Sequence, residues 1–224
     1  MSERLSRKER QAHTRARLMR SAASVAAQRG LERASLDAVA EHAGFTKGAV
    51  YANFKSKEDL FLAMLDVRFA ERLEELDRIL SGEDDPDTQA RAAAAGFIAA
   101  MESEPEWERL FFEFTVYAAR NESFRTELVA RYRTMRQRIA ELLAARAARL
   151  GIEPALPPEQ VATMTFAMAN GIALERMLEP EAVPAGLYPE MMAVFFTGLR
   201  ARGAARAGEP PPHAPEKRHL PASR

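Results

Sequence analysis

The sequence predicts an all-α protein. Ala, Leu, Glu and Arg dominate the chain, and these side chains lose least freedom on entering a helix. Apolar residues recur at spacings of three and four, and no stretch alternates convincingly at the strand period of two. Ser, Thr, Asp, Gly and Pro fall where helix ends need them.

Residues 1–12 are charged and poor in apolar side chains, and are expected to form a mobile basic arm. A first helix follows from about Thr14 to Arg29. Leu18, Ala22 and Val25 share one face, and Gly30 ends it. Ser35 caps a short helix carrying Leu36, Val39, Ala40 and Ala43. Gly44 breaks it, and Thr46 caps a second short helix with Val50, Tyr51 and Phe54. Ser56, with Asp59 three residues on, opens a longer helix to about Leu80. Asp85 and Pro86 then stand at the N-cap and first position of a helix over 86–102. Ser103 and Glu106 suggest a capping box before the next helix, which Asn121 breaks. From Glu122 the apolar spacing of threes and fours resumes until Gly151. Two final helices are expected over about 158–178 and 186–202. The Pro-rich, polar segment 203–224 reads as a disordered tail.

Composition excludes several chemistries. The 224 residues contain no Cys, which removes disulfides, thiolate zinc sites and cysteine nucleophiles together. None of the four histidines, His13, His42, His213 and His219, has a second histidine three or four residues away. No Gly-rich phosphate loop or nucleophile elbow is present, so neither metal nor cofactor nor enzymatic activity is expected. The N-terminus lacks the apolar region of a signal peptide, and no apolar run is long enough to span a membrane, so a cytoplasmic location is expected. Charge is uneven along the chain. Residues 1–60 carry 12 Lys and Arg against 7 Asp and Glu, whereas residues 61–120 carry 6 against 14. A basic front end suggests a polyanionic partner there.

Within that front end, SLDAVAEHAGFTKGAVYANF (residues 35–54) has the layout of a helix-turn-helix. Gly44 supplies the positive φ that a tight corner needs. The second helix presents Thr46, Lys47, Gly48 and Ala49 at its first turn, the part of a recognition helix that reaches base edges. Lys47 suits guanine O6 or N7, and Ala49 a thymine methyl. Gly48 lets the backbone come near the groove floor. Tyr51 and Asn53 lie further along, within reach of phosphates. Lys57 and Ser35 sit at helix N-termini, where anions are already favoured. The same segment, taken alone, also fits a plain helical corner.

The order of these features resembles the DNA-binding domain of the TetR (tetracycline-repressor) family. The resemblance runs from about Thr14 to Leu65, through TRARLMRSAASVAAQRG and SLDAVAEHAGFTKGAVYANFKSKEDLF. Its most specific part is AGFTKGAVYANFKSKEDL, with Ala-Gly, a small-residue turn, Tyr, Phe, Lys and Leu at the family's spacings. It implies that Thr46, Lys47, Gly48 and Ala49 read bases while Ser35, Tyr51, Asn53 and Lys57 hold phosphates. Ala26 departs from the pattern by standing where the family usually has Phe, which leaves a smaller core contact. Asp37 would repel phosphate and is not assigned a contact.

The resemblance also implies the rest of the architecture. A three-helix DNA-binding domain over 13–60 would precede a C-terminal helical bundle over 61–202 with a small-molecule pocket and a dimer interface. The helices at 158–178 and 186–202 are too apolar for a monomer surface, and Ala162, Ala169, Gly171 and Ala173 permit close approach. That pattern suits a homodimer through these two helices or a hairpin buried within one chain. Candidate pocket residues are Met101, Trp107, Phe111, Phe114, Tyr117, Met135, Met164, Met168 and Asn170, although such residues at helical spacing also suit ordinary core. The function expected is that of a ligand-responsive repressor binding a pseudo-palindromic DNA operator as a dimer. A helical interaction module or an enzyme without specific DNA binding is the alternative.

Overall fold

The computed structural model describes residues 6–208 apart from Asp84. Among them the chain forms α1 (Arg7–Arg29), α2 (Leu36–Ala43), α3 (Lys47–Tyr51), α4 (Lys57–Leu80), α5 (Pro86–Ser103), α6 (Pro105–Arg120), α7 (Glu122–Leu150), α8 (Pro158–Leu178) and α9 (Leu187–Gly208). A 3-10 turn at Pro180–Ala182 joins the last two. The described residues contain no strand.

Four helices begin with the expected side-chain caps. Ser35, Thr46, Ser56 and Asp85 each accept from backbone N–H groups two or three residues on, so the first orphan donors of α2, α3, α4 and α5 are satisfied locally. Gly44 takes the left-handed conformation at φ 69°, and the chain turns there from α2 into α3.

Three boundaries differ from expectation. α1 begins at Arg7, inside the segment read as an arm. Ser6 Oγ accepts from the Glu9 N–H at 3.2 Å while the Ser6 N–H donates to Glu9 Oε2 at 2.6 Å, a reciprocal capping box. The remaining arm residues 1–5 lie outside the described residues. The pair Ser103 and Glu106 forms no box. α5 runs through Ser103, whose hydroxyl donates to the Ala100 carbonyl at 2.9 Å, and Pro105 starts α6 by its fixed φ. α9 continues through 203–208, where a disordered tail was expected. Its Ala-rich run favours helix, and Gly203 lies buried against the α7–α8 connection, where a Cβ would collide with the Glu153 carbonyl oxygen. Residues 209–224 lie outside the described residues.

Two apolar cores result. The first joins α1–α4 to α6 and α7: Leu18, Val39, Val50, Phe54, Phe61, Phe114 and Phe124 are all buried in it. The second joins α5, α8 and α9 around Ile98, Met101, Ile172, Tyr188 and Met192. α4 and α6 contribute to the first core and reach toward the second.

Candidate nucleic-acid interface and C-terminal cavity

α3 is short because it carries few apolar anchors. Val50 is buried, while Thr46, Lys47, Gly48 and Tyr51 are exposed and Ala49 is half-exposed. Tyr51 is 55% exposed, so its ring stands outside the core. A Cβ built on Gly48 would meet nothing nearer than Thr46 Oγ1 at 4.0 Å. The fold therefore does not require glycine at that exposed position.

Two arginines of α1, unassigned from sequence, hold α3 and its turn. Arg15 donates to the Asn53 carbonyl at 2.7 Å and lies over the Phe54 ring at 4.2 Å. Arg17 donates to the Ala43 carbonyl at 3.3 Å and lies over the Phe45 ring at 4.6 Å. Each combines a backbone hydrogen bond with cation–π attraction. Their i, i+2 spacing gives no periodic signal, because their partners are 26 and 38 residues away.

Lys47, Asn53, Lys57 and Ser35, around α3, are engaged within the chain. Lys47 Nζ donates to Asp37 Oδ2 at 2.6 Å, and that bond and its charge raise the lysine pKa above its ordinary value. Asn53 Nδ2 donates to the Ala49 carbonyl at 2.8 Å, closing the end of α3. Lys57 Nζ donates to the Glu32 and Leu31 carbonyls at 2.7 and 3.3 Å, tying the start of α4 to the α1–α2 connection. Ser35 is exposed and accepts from the Ala38 N–H at 3.2 Å.

A second polar group joins this module to α6. The Leu31 N–H donates to Glu113 Oε2. Tyr117 Oη donates to Glu58 Oε1 at 2.7 Å, and Lys57 lies over the Tyr117 ring. Burial and the adjacent Glu58 carboxylate push the Tyr117 phenol up to about 12.

Between α4 and the helices α5–α9 lies a cavity of about 400 Å³, within the range of small-molecule sites. Of the nine residues proposed from sequence, Met101, Trp107, Phe111, Met135 and Asn170 line it. The other four do not. Phe114 is fully buried in the first core, between Phe61, Trp107 and Phe124 at ring separations of 6.0 Å. Tyr117 turns to Glu58 and Phe124. Met164 is 44% exposed on the outer face of the chain. Met168 packs against the second core. Helical spacing places such residues on a helix without saying which neighbour each face meets. Sequence reading also missed Gln89 and Glu108, polar residues whose side chains line the cavity with a buried oxygen each.

Two family models match the chain. The model of bacterial regulatory proteins, tetR family, matches residues 18–64, and that of the BetI-type transcriptional repressor C-terminal region matches residues 86–201. The chain belongs to the TetR family. This TetR-family protein is a DNA-binding transcriptional regulator. It is 27% identical over 205 residues to the uncharacterized HTH-type transcriptional regulator YfiR of Bacillus subtilis, covering 87% of this chain and 96% of YfiR. A transcriptional regulator from Rhodococcus sp. Rha1 superposes with a TM-score of 0.67 at 26% identity, over 83% of this chain and 95% of that one. SmeT, in its complex with triclosan, superposes with a TM-score of 0.66 at 26% identity, over 83% and 90%.

Proposed function

We propose that this TetR-family regulator is a ligand-responsive repressor that binds a pseudo-palindromic operator as a homodimer. In this reading, residues through about Lys57 carry DNA recognition and the remainder carries the effector cavity and the dimer contact. Thr46, Lys47, Gly48 and Ala49 read base edges, and Ser35 and Tyr51 meet phosphates. Asn53 gives one amide N–H to the Ala49 carbonyl at the end of α3 and has a second left for a phosphate. Lys57 braces the α1–α2 connection and has a third N–H left for a phosphate.

The observation that carries the reading is Gly48: an exposed glycine on a helix, with no neighbour that excludes a side chain. Its lack of a Cβ serves an approach from outside the chain. The BetI-type repressor model over 86–201 supports the repressor polarity. The triclosan complex of SmeT supports a small-molecule effector.

Dimerisation through α8 and α9 is supported by what they leave uncovered. Leu174 and Leu178 of α8 and Leu187 and Val194 of α9 are exposed, Leu178 at 69% and Val194 at 63%. Cβ positions at Gly171 and Gly198 meet nothing within 4 Å. Two such helices from each chain bury these faces as a four-helix bundle.

Communication follows from shared residues. α4 packs Leu60, Phe61 and Leu65 into the first core and lines the cavity with Phe69, Arg72 and Leu76. α6 lines the cavity with Trp107 and Phe111 and holds the DNA-facing module through Glu113 and Tyr117. An effector that moves these two helices changes the spacing of the two α3 helices in the dimer and shifts the population away from DNA. Gel shifts over genomic fragments at fixed salt, with transcription from a bound promoter as the second readout, test the reading. Sequence-selective binding that lowers transcription supports it. Unselective binding, or raised transcription, contradicts it.

A further inference from the structure

The shape of the cavity narrows the chemistry of its occupant. Lining residues extend from Pro86 to Met101 on α5, from Met135 to Leu150 on α7, and from Pro158 to Ala173 on α8. At 1.5 Å rise per residue, each stretch is about 22 Å long. An occupant that meets the whole of that lining is elongated rather than compact. Phe69, Phe97, Phe111 and Phe166 line the wall, which is apolar along most of its course.

Two polar groups of the wall, one near the start of α5 and one near the start of α6, leave a buried oxygen unmet, and the Arg72–Glu75 pair lies between them against the Ala93 carbonyl. Near the start of α5, Gln89 is 1% exposed, and its Nε2 donates to the Ile79 and Gly82 carbonyls at 2.8 and 3.1 Å. Those two acceptors fix the amide, and Oε1 is left buried without a partner. Near the start of α6, Oε1 of Glu108 is likewise buried without a partner. Burial raises the Glu108 carboxyl above its ordinary range, although Arg176 attracts it. Arg176 is itself bonded to Glu102 at 2.8 Å and to the Val183 carbonyl at 3.0 Å.

The cations of the wall are matched. Arg68 pairs with Glu71 and Glu104, Arg72 with Glu75 at 2.5 Å, and Arg200 with Asp87 at 2.6 Å. Arg146 is engaged within the chain as well. The cavity thus offers two unmet acceptors, one of them a carboxylate, and Arg68, Arg72 and Arg200 already have anions. Buried acceptors of this kind favour a ligand that brings donors.

We propose that the effector is a linear aliphatic molecule with a hydrogen-bond donor at its end, best matched by a long-chain primary amine. Its ammonium group meets Glu108, and its chain runs along α5 toward Gln89. This assignment rests on the reading of the cavity as the effector site. A long-chain carboxylate would set its charge against Glu108.

Trp107 is the single tryptophan of the chain and lines the Glu108 end of the cavity, so its fluorescence reports occupancy. The test titrates the full chain with decylamine, decanol, decanoate and 1-adamantylamine, each below its aggregation concentration. Decylamine is expected to bind at least tenfold more tightly than decanoate and than the cage-shaped amine of equal carbon number. Along the n-alkylamines, affinity rises about fourfold per methylene until the cavity is filled. Glu108→Gln removes the preference for amine over decanol and keeps the dependence on chain length. Ala144→Leu, near the far end, moves the plateau to a shorter chain and keeps the amine preference, which serves if Glu108→Gln does not fold in a thermal melt. Decanoate or adamantylamine binding as tightly as decylamine overturns the proposal, as does an unchanged amine preference in Glu108→Gln or an absence of any Trp107 response. A gel shift on the same samples separates the two readings. Intact operator binding without amine binding sinks the ligand class alone, and absent operator binding sinks the regulator.

Discussion

Substituting Gly48 by alanine separates the needs of the fold from those of DNA. The added methyl group meets no atom of the chain nearer than Thr46 Oγ1 at 4.0 Å. Gly48 lies in the first turn of α3 with a φ that alanine adopts freely. Replacing a helical glycine by alanine stabilises by up to about 1 kcal/mol. The melting temperature of Gly48→Ala should therefore equal or exceed that of the parent. If α3 approaches the groove floor at this point, the methyl holds it off and strains the neighbouring base contacts. Losing one such contact costs about 1–3 kcal/mol, or about fivefold to over a hundredfold in affinity. Fluorescence anisotropy on a selected operator, paired with a thermal melt, measures both sides. A stable Gly48→Ala that binds operator as tightly as the parent would refute the assignment of Gly48 to the DNA face.

Four further outcomes follow from the same geometry. Asp37→Ala releases Lys47 and removes an acidic group near the proposed DNA face. Binding to unrelated DNA should tighten and the salt slope should steepen by about one, while the melting temperature stays close to that of the parent because the pair is exposed. Phe114→Ala should cost about 3–5 kcal/mol in a denaturant melt, since the ring is fully buried in the first core; a small loss would return Phe114 to the cavity. Tyr117→Phe should leave operator affinity near that of the parent and weaken the effect of an effector on it, measured as a smaller ratio of operator affinities without and with decylamine. The Glu58 carboxyl is pushed up by burial, but the Tyr117 hydroxyl, backbone and Ser56 hydrogen bonds and Lys57 outweigh that and hold it below its ordinary 4.5. A depressed folded pKa contributes stability above the unfolded value that is lost as pH falls through the folded one, so stability should drop below about pH 4.5, less steeply in Tyr117→Phe.

Local signals carried much of this fold. Ser35, Thr46, Ser56 and Asp85 cap helices through atoms two or three residues away, so their roles are visible in short windows of sequence. Gly44 is legible for the same reason. The exposed edge of α3 was readable because few apolar residues anchor it. Long-range partners were not. Arg15 and Arg17 serve carbonyls far along the chain, and Lys57 serves two carbonyls of the α1–α2 connection instead of standing free. Periodicity placed Phe114 and Trp107 on one helix but could not show that α6 faces the first core with one and the cavity with the other. Gln89 gave no signal at all, because a lone glutamine in an Ala-rich helix reads as surface until its carbonyl partners from the end of α4 are seen.

In the proposed function, two chains place their α3 helices on one symmetric DNA sequence. Selecting bound fragments from the source genome, then measuring stoichiometry and affinity on the enriched site at fixed salt, tests it most directly. The expected result is a pseudo-palindromic site bound by two chains, at least about a thousandfold more tightly than unrelated DNA. Enrichment of no common sequence, or binding by a single chain with equal affinity for all DNA, would contradict it.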